Sequence, residues 1–118
     1  MVIGTGVDIT EVNRIRKAVE KWGDDFLHRV FTDNEIKNAQ GKTFFFQHLA
    51  GRFAAKEAVF KAAGDSQLSW QDIQISNDAQ GKPVCLFLNG RGKKFDAHLS
   101  ISHVKTYAVA SAIITEKT

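Results

Sequence analysis

The chain has 118 residues, enough for one domain spanning 1–118, and 16 Lys and Arg against 13 Asp and Glu leave a formal charge of +3. With 43% hydrophobic and 25% charged residues it is an ordinary globular composition, which excludes a disordered chain. A single cysteine, Cys85, excludes an intramolecular disulfide framework and a cysteine-rich zinc site, and no apolar run approaches the ~20 residues of a membrane span.

In chain order, residues 2–9 predict a strand, with Ile3, Thr5, Val7 and Ile9 on one face. The other face carries Val2, Gly4, Gly6 and Asp8, so two glycines leave room there for close backbone or for a ligand. Thr10 is expected to cap a helix in which Val12, Ile15, Val19 and Trp22 recur at helical spacing and Gly23 gives the stop. Arg14, Lys17 and Lys21 share the opposite side of that helix. A short helix follows over residues 24–30, and Thr32 with Glu35 forms a capping box for another. The strongest helical segment runs from 43 to 63 and ends at Gly64.

Beyond it the periodicity changes to two. Ile73 and Ile75 begin a strand, residues 78–81 make a turn, and residues 84–88 return. Asn89-Gly90 starts a loop or a short basic helix, and Leu99 and Ile101 alternate with Ser100 and Ser102 up to His103. After a turn at Lys105, residues 107–114 form the last strand. The predicted fold class is α+β: a largely antiparallel sheet packed against one long helix and several short ones. The N-terminus, MVIGTGVDIT, lacks the basic-then-apolar pattern of a signal peptide, so a cytoplasmic protein is expected.

The long helix carries the chemical anomaly. At about 100° per residue, Leu49, Ala50, Phe53 and Phe60 form a core-facing stripe, and Glu57 falls inside it with Lys61 at its edge. A carboxylate there is costly without compensation. A Glu57–Lys61 ion pair is one answer; a metal ion shared with another carboxylate is the other. Asp8 is the candidate second carboxylate, and its alternative reading is an acid at a helix start. Two hard oxygen ligands suggest Mg²⁺ completed by water and substrate phosphate, whereas one Cys and four scattered His give no zinc spacing. Arg52, Lys56, Glu57 and Lys61 on one helix, with Asp8 and the His103 of LSISH, describe a Mg²⁺-assisted phosphate site. Neither Ser100 nor Ser102 sits in a Gly-x-Ser-x-Gly turn, and Cys85, mid-strand, reads as packing.

The segments GTGVDITEVNRI, LAGRFAAKEAVFKAAG, QDIQISNDAQGKP and HLSISHVKTYAVASAII, in this order across almost the whole chain, resemble the holo-acyl-carrier-protein synthase family. This is the short, single-domain branch of the 4′-phosphopantetheinyl transferases. The resemblance implies Mg²⁺-dependent transfer of 4′-phosphopantetheine from coenzyme A to a serine of apo acyl carrier protein, in fatty acid biosynthesis. The second product would be adenosine 3′,5′-bisphosphate. By the same resemblance, Asp8 and Glu57 match the metal ligands, Lys61 the active-site lysine and His103 the histidine of the last motif. Arg52 and His103 would hold coenzyme phosphates, and Arg14, with Lys17 and Lys21 beside it, would meet the acidic carrier protein. Homotrimers with sites between subunits are typical of this branch. Two departures stand out: a short loop at residues 64–67 and an unusually aromatic stretch at residues 42–46. Two rival classes use some of the same residues. A Mg²⁺-dependent phosphodiesterase would need the two acids but no protein acceptor, and an RNA-binding module would need exposed aromatics among its basic residues.

Overall fold

The computed structural model describes residues 1–64 and 68–117, so the short loop expected at 64–67 lies, from 65 on, outside the described residues. Ten elements follow in order: β1 (Val2–Glu11), α1 (Val12–Trp22), α2 (Asp24–Val30), α3 (Asp33–Gln40), α4 (Phe45–Ala63), the 3₁₀ turn Trp70–Asp72, β2 (Ile73–Asn77), β3 (Pro83–Phe87), β4 (Phe95–His103) and β5 (Tyr107–Glu116). The strands form one antiparallel sheet in the order β1-β5-β4-β3-β2. The Asn89-Gly90 segment is a turn, with Asn89 at φ 57°, rather than a basic helix.

The glycines of β1 admit backbone. A Cβ on Gly4 would collide with the carbonyl oxygen of Ala62, and one on Gly6 with that of Ala58. Helix α4 therefore lies directly on β1. Its Ala54, Ala55, Ala58, Val59 and Ala62 pack with Ile73, Ile75, Leu99, Ala110, Ala112 and Ile114 into the main core. The other side of α4 is covered by α1, α2 and α3 through Val12, Ile15, Leu27, Phe31, Ile36, Leu49 and Ala50. Most of α4 is covered from both sides, with Lys61 in its last turn left exposed, so the single stripe drawn on the sequence is too narrow, and Phe53 and Phe60 within it are only part-buried, against Trp70.

That double burial takes Lys56 into the interior. Its Nζ is 2.7 Å from Glu35 Oε1 and donates to the carbonyls of Val30 and Trp70, each at 2.9 Å, so all three protons are used. Burial pulls the Lys56 pKa down and Glu35 opposes it. Glu35 completes the expected capping box on Thr32 while its Oε2 accepts from the Ile75 amide. Lys56 is thus a core cross-link between helices and sheet, and no part of a phosphate site.

Three further expectations are corrected. Strand β1 runs on to Glu11, so Thr10 is no helix cap; it is buried in the strand and bonds Asp8. Trp22 does not join the buried face of α1: it is 58% exposed, with the Lys21 ammonium over its ring, and Gly23 ends the helix just after it. Cys85 is half-buried and packs against the main core as read; burial pushes its thiol up to about 12, which leaves it inert. Among the described residues no helix is long and apolar enough to cross a membrane.

Candidate functional site

Alternation along β1 puts Asp8 on the same face as Gly4 and Gly6, toward α4. Where the glycines end, the gap between strand and helix holds side chains instead of backbone. Lys61, in the last turn of α4, donates to the Val7 carbonyl at 3.0 Å and to Asp8 Oδ1 at 3.3 Å. Thr10 donates to the other carboxylate oxygen at 2.7 Å. The cation on Lys61 therefore serves Asp8, not Glu57, its i−4 neighbour.

Glu57 is half-buried beside them. Burial and the Asp8 charge push its carboxyl above the ordinary carboxylate value, and Lys61 and Arg14 only partly offset this. Asp8, Glu57 and Lys61 are thus brought together as expected, and Arg14 of α1 faces the same cluster. Two neighbouring hard carboxylates, one of them pushed up by the other's charge, suit a divalent cation such as Mg²⁺. Among the described residues no third His, Cys, Asp or Glu joins them, which leaves further coordination positions to water or phosphate oxygens.

Arg52 and His103 come together elsewhere. In the sheet, Thr10, Ala108 and His103 lie in one row across β1, β5 and β4, so His103 faces the helix side about 10 Å from Thr10. Ser100 and Ser102 point to the other face and do not flank it. Arg52, 8% exposed, lines a cleft of about 480 Å³ with His103, Lys42, Gln47, His48 and Asn77. Burial lowers the Arg52 pKa, and the Glu35 charge counters it. Nine residues separate Arg52 from Lys61 and His48 from Glu57, which at about 100° each sets the two groups on opposite sides of α4. His48 escaped the sequence reading, although its i,i+4 spacing to Arg52 was a signal that both share a helix face.

On α1, Arg14, Lys17 and Lys21 are all exposed along one side, so the basic face is real. The aromatic stretch offers little to stack on: Phe45 and Phe46 meet edge to face and are half-buried, Arg16 sits over Phe46, and Phe44 alone is exposed.

Comparison with known proteins gives the family of the chain. Residues 4–112 match the model of the ACPS family, 4′-phosphopantetheinyl transferase superfamily. The holo-[acyl-carrier-protein] synthase of Thermodesulfovibrio yellowstonii is 45% identical over 116 residues, covering 98% of this chain and all of that one. A holo-(acyl-carrier-protein) synthase from Bacillus anthracis, crystallised in complex with CoA (3′,5′-ADP), superposes with a TM-score of 0.85 at 39% identity, over 99% of both chains. The holo-[acyl-carrier-protein] synthase of Neisseria meningitidis gives a TM-score of 0.90 at 30% identity, over 98% of this chain and 100% of that one. The chain belongs to the holo-[acyl-carrier-protein] synthase family of 4′-phosphopantetheinyl transferases.

Proposed function

We propose that this single domain, in the cytoplasm, transfers 4′-phosphopantetheine from coenzyme A to a serine of apo acyl carrier protein, as its family membership implies. The observation that carries the reading is the Asp8–Glu57–Lys61 cluster: two neighbouring acids, of which Glu57 is pushed up by burial and by the Asp8 charge, and a lysine held at hand by Asp8. Asp8 and Glu57 would hold Mg²⁺, which when bound supplies charge neutralisation and polarisation at the coenzyme's pyrophosphate.

The serine Oγ forms a bond to phosphorus and the bond from phosphorus to the adenosine bisphosphate oxygen breaks. Lys61 Nζ, freed from Asp8, turns to the phosphoryl oxygens and offsets their growing charge. Glu57 is this chain's candidate acceptor for the serine proton. Arg52 and His103 bind coenzyme phosphates in the cleft on the other side of α4. Arg14, Lys17 and Lys21 attract the acidic carrier protein and orient its serine toward the cluster that Arg14 already faces.

The opposed directions of the two groups support a site completed by a neighbouring copy. So does the uncovered sheet face, where Ile3, Val7 and Ile9 of β1 and Tyr107, Val109 and Ile113 of β5 are between 38% and 65% exposed. Six large apolar side chains on adjacent strands form a patch that a second copy of this chain would bury, and a homotrimer is the assembly we assign to it.

The test is intact-mass analysis of an apo acyl carrier protein incubated with this protein, coenzyme A and Mg²⁺. The expected result is one added phosphopantetheine, about 340 Da by the atoms transferred, lost with EDTA. Unchanged mass across several folded carrier proteins, with coenzyme A still consumed, would instead favour a phosphodiesterase.

A further inference from the structure

Thr10 is a hydroxyl in an apolar setting. It is 2% exposed, on the face of β1 turned toward α4, with the fully buried Ala108 opposite it in the sheet. Valine has nearly the same shape and suits a strand as well, so packing does not ask for the hydroxyl. A buried hydroxyl is costly unless it is bonded, and the bond that compensates this one runs to Asp8. Asp8 lies two residues earlier on the same face, and Thr10 Oγ1 donates to its Oδ2 at 2.7 Å. That is the length of a charge-assisted bond to a carboxylate, roughly twice as strong as a neutral one. The branched Cβ of Thr10 restricts χ1, so the donor keeps one direction.

The two oxygens of Asp8 thus have unlike partners. Lys61 reaches Oδ1 at 3.3 Å from a side chain that is 53% exposed, a long bond that water can replace. Thr10 holds Oδ2 from inside the strand. When Lys61 leaves for the phosphoryl oxygens, as the proposed reaction requires, Thr10 still keeps the carboxylate from turning. We propose that Thr10 is a positioning residue for the metal site: it fixes Asp8 through Oδ2 and leaves Oδ1, which Lys61 vacates, as the oxygen offered to the cation. The inference rests on the reading of Asp8 and Glu57 as holders of Mg²⁺ and adds a third side chain that acts through Asp8.

Two effects of this bond oppose each other. A donor draws charge from the carboxylate, which by itself weakens the hold on a cation. Fixing the carboxylate beforehand removes freedom that binding would otherwise have to freeze, which strengthens it. For hydrogen bonds that orient metal ligands the second effect is the larger, and losing one lowers metal affinity by about ten- to hundredfold. The positioning role therefore has its own sign.

The experiment titrates the metal-free protein with Mn²⁺, an oxygen-seeking stand-in for Mg²⁺ whose free form is read by electron paramagnetic resonance. Wild type is compared with Thr10→Val, Thr10→Ser and Asp8→Asn. Thr10→Val keeps the shape without the hydroxyl and should bind Mn²⁺ about ten- to hundredfold more weakly. Thr10→Ser restores the hydroxyl and should recover most of that loss. In phosphopantetheine transfer, the apparent KM for Mg²⁺ of Thr10→Val should rise by the same factor, with a smaller change in kcat at saturating Mg²⁺. Equal or tighter Mn²⁺ binding by Thr10→Val would overturn the assignment and leave the metal reading standing. Equal weakening in Thr10→Val and Thr10→Ser would also overturn it, because packing would then be the cause. Should Thr10→Val fail to fold by circular dichroism, Thr10→Ala against Thr10→Ser makes the same comparison, and equal affinities there would refute the role. If wild type binds no Mn²⁺, or Asp8→Asn binds it as tightly as wild type, the metal reading and this one fail together.

Discussion

Adding one methyl group to Gly6 should disable the site without touching a catalytic atom. A Cβ there would stand 2.9 Å from the Ala62 amide nitrogen and 3.0 Å from the Ala58 carbonyl carbon, and closer still to the Ala58 oxygen. Carbon and carbonyl oxygen rest at ~3.3 Å or more, so α4 must withdraw by about 1 Å. Lys61 reaches Val7 at 3.0 Å and Asp8 at 3.3 Å, and such a shift breaks both bonds. A misplacement of that size costs on the order of 10²-fold in turnover. Overpacking costs about 1–3 kcal/mol, and at this chain length that lowers Tm by roughly 4–12 °C. Gly4→Ala meets the Ala62 carbonyl in the same way, four residues from Asp8 instead of two, so it should lose similar stability but less activity. The assay pairs steady-state phosphopantetheine transfer with thermal unfolding followed by circular dichroism. Wild-type turnover in Gly6→Ala at an unchanged Tm would show that strand and helix can part without disturbing the cluster, and would refute the reasoning.

Glu57→Gln should abolish transfer yet raise the metal-free Tm at neutral pH. Its folded carboxyl sits above the ordinary value of 4.5, so as pH rises from there the folded state loses stability relative to the unfolded one, and glutamine escapes that loss. A lower Tm for Glu57→Gln across pH 5 to about 8 would contradict the sign. Mg²⁺ should raise the Tm of wild type but not of Asp8→Asn, as differential scanning fluorimetry would read; equal shifts would remove Asp8 from the metal site. Lys56→Met leaves Glu35 buried without its cation and two carbonyls without a donor, so a loss of about 3–5 kcal/mol in urea unfolding is expected. Restoration of part of that loss in Glu35→Gln/Lys56→Met would confirm that the orphaned charge, not the lost packing, dominates. Val109→Arg on the open sheet face should reduce the assembly to monomers in light scattering, and a persisting trimer would point to another interface.

How much could be read beforehand depended on whether a feature was local. The capping box of Thr32 and Glu35, the helix stop at Gly64 and the alternation of β4 are fixed by neighbours within a few residues, and each was legible. Asp8 with Glu57 was legible for a different reason: a carboxylate in an apolar helix demands an explanation, and the glycine face of β1 pointed to where it would be found. Lys56 was misplaced because periodicity assumes that one side of a helix is wet. On α4 the sheet covers one side and α1 to α3 the other, and a run of alanines carries no moment to say so. Its partner Glu35 already had a complete local role as a cap, so nothing in the chain asked for a second one. Trp22 failed in reverse: spacing puts it in line with Val12 and Ile15, yet only those two are buried, and periodicity does not say how far along a helix its packing extends. The bond from Thr10 to Asp8 required knowledge of which partner each carboxylate oxygen takes, which only side-chain positions give.

The opposed faces of α4 also bear on how damage is inherited. If neighbours complete one another's sites, a chain that has lost Glu57 still presents a sound Arg52 side, and a chain that has lost Arg52 still presents a sound Glu57 side. Each variant alone is silent. Mixed at random in a trimer, they rebuild about one intact site in four, because each site draws its halves from two different copies. Two null alleles expressed together would then sustain growth that neither allows, while two alleles that damage the same side would not. The direction in which a side chain leaves one helix thus becomes readable as a pattern of genetic complementation.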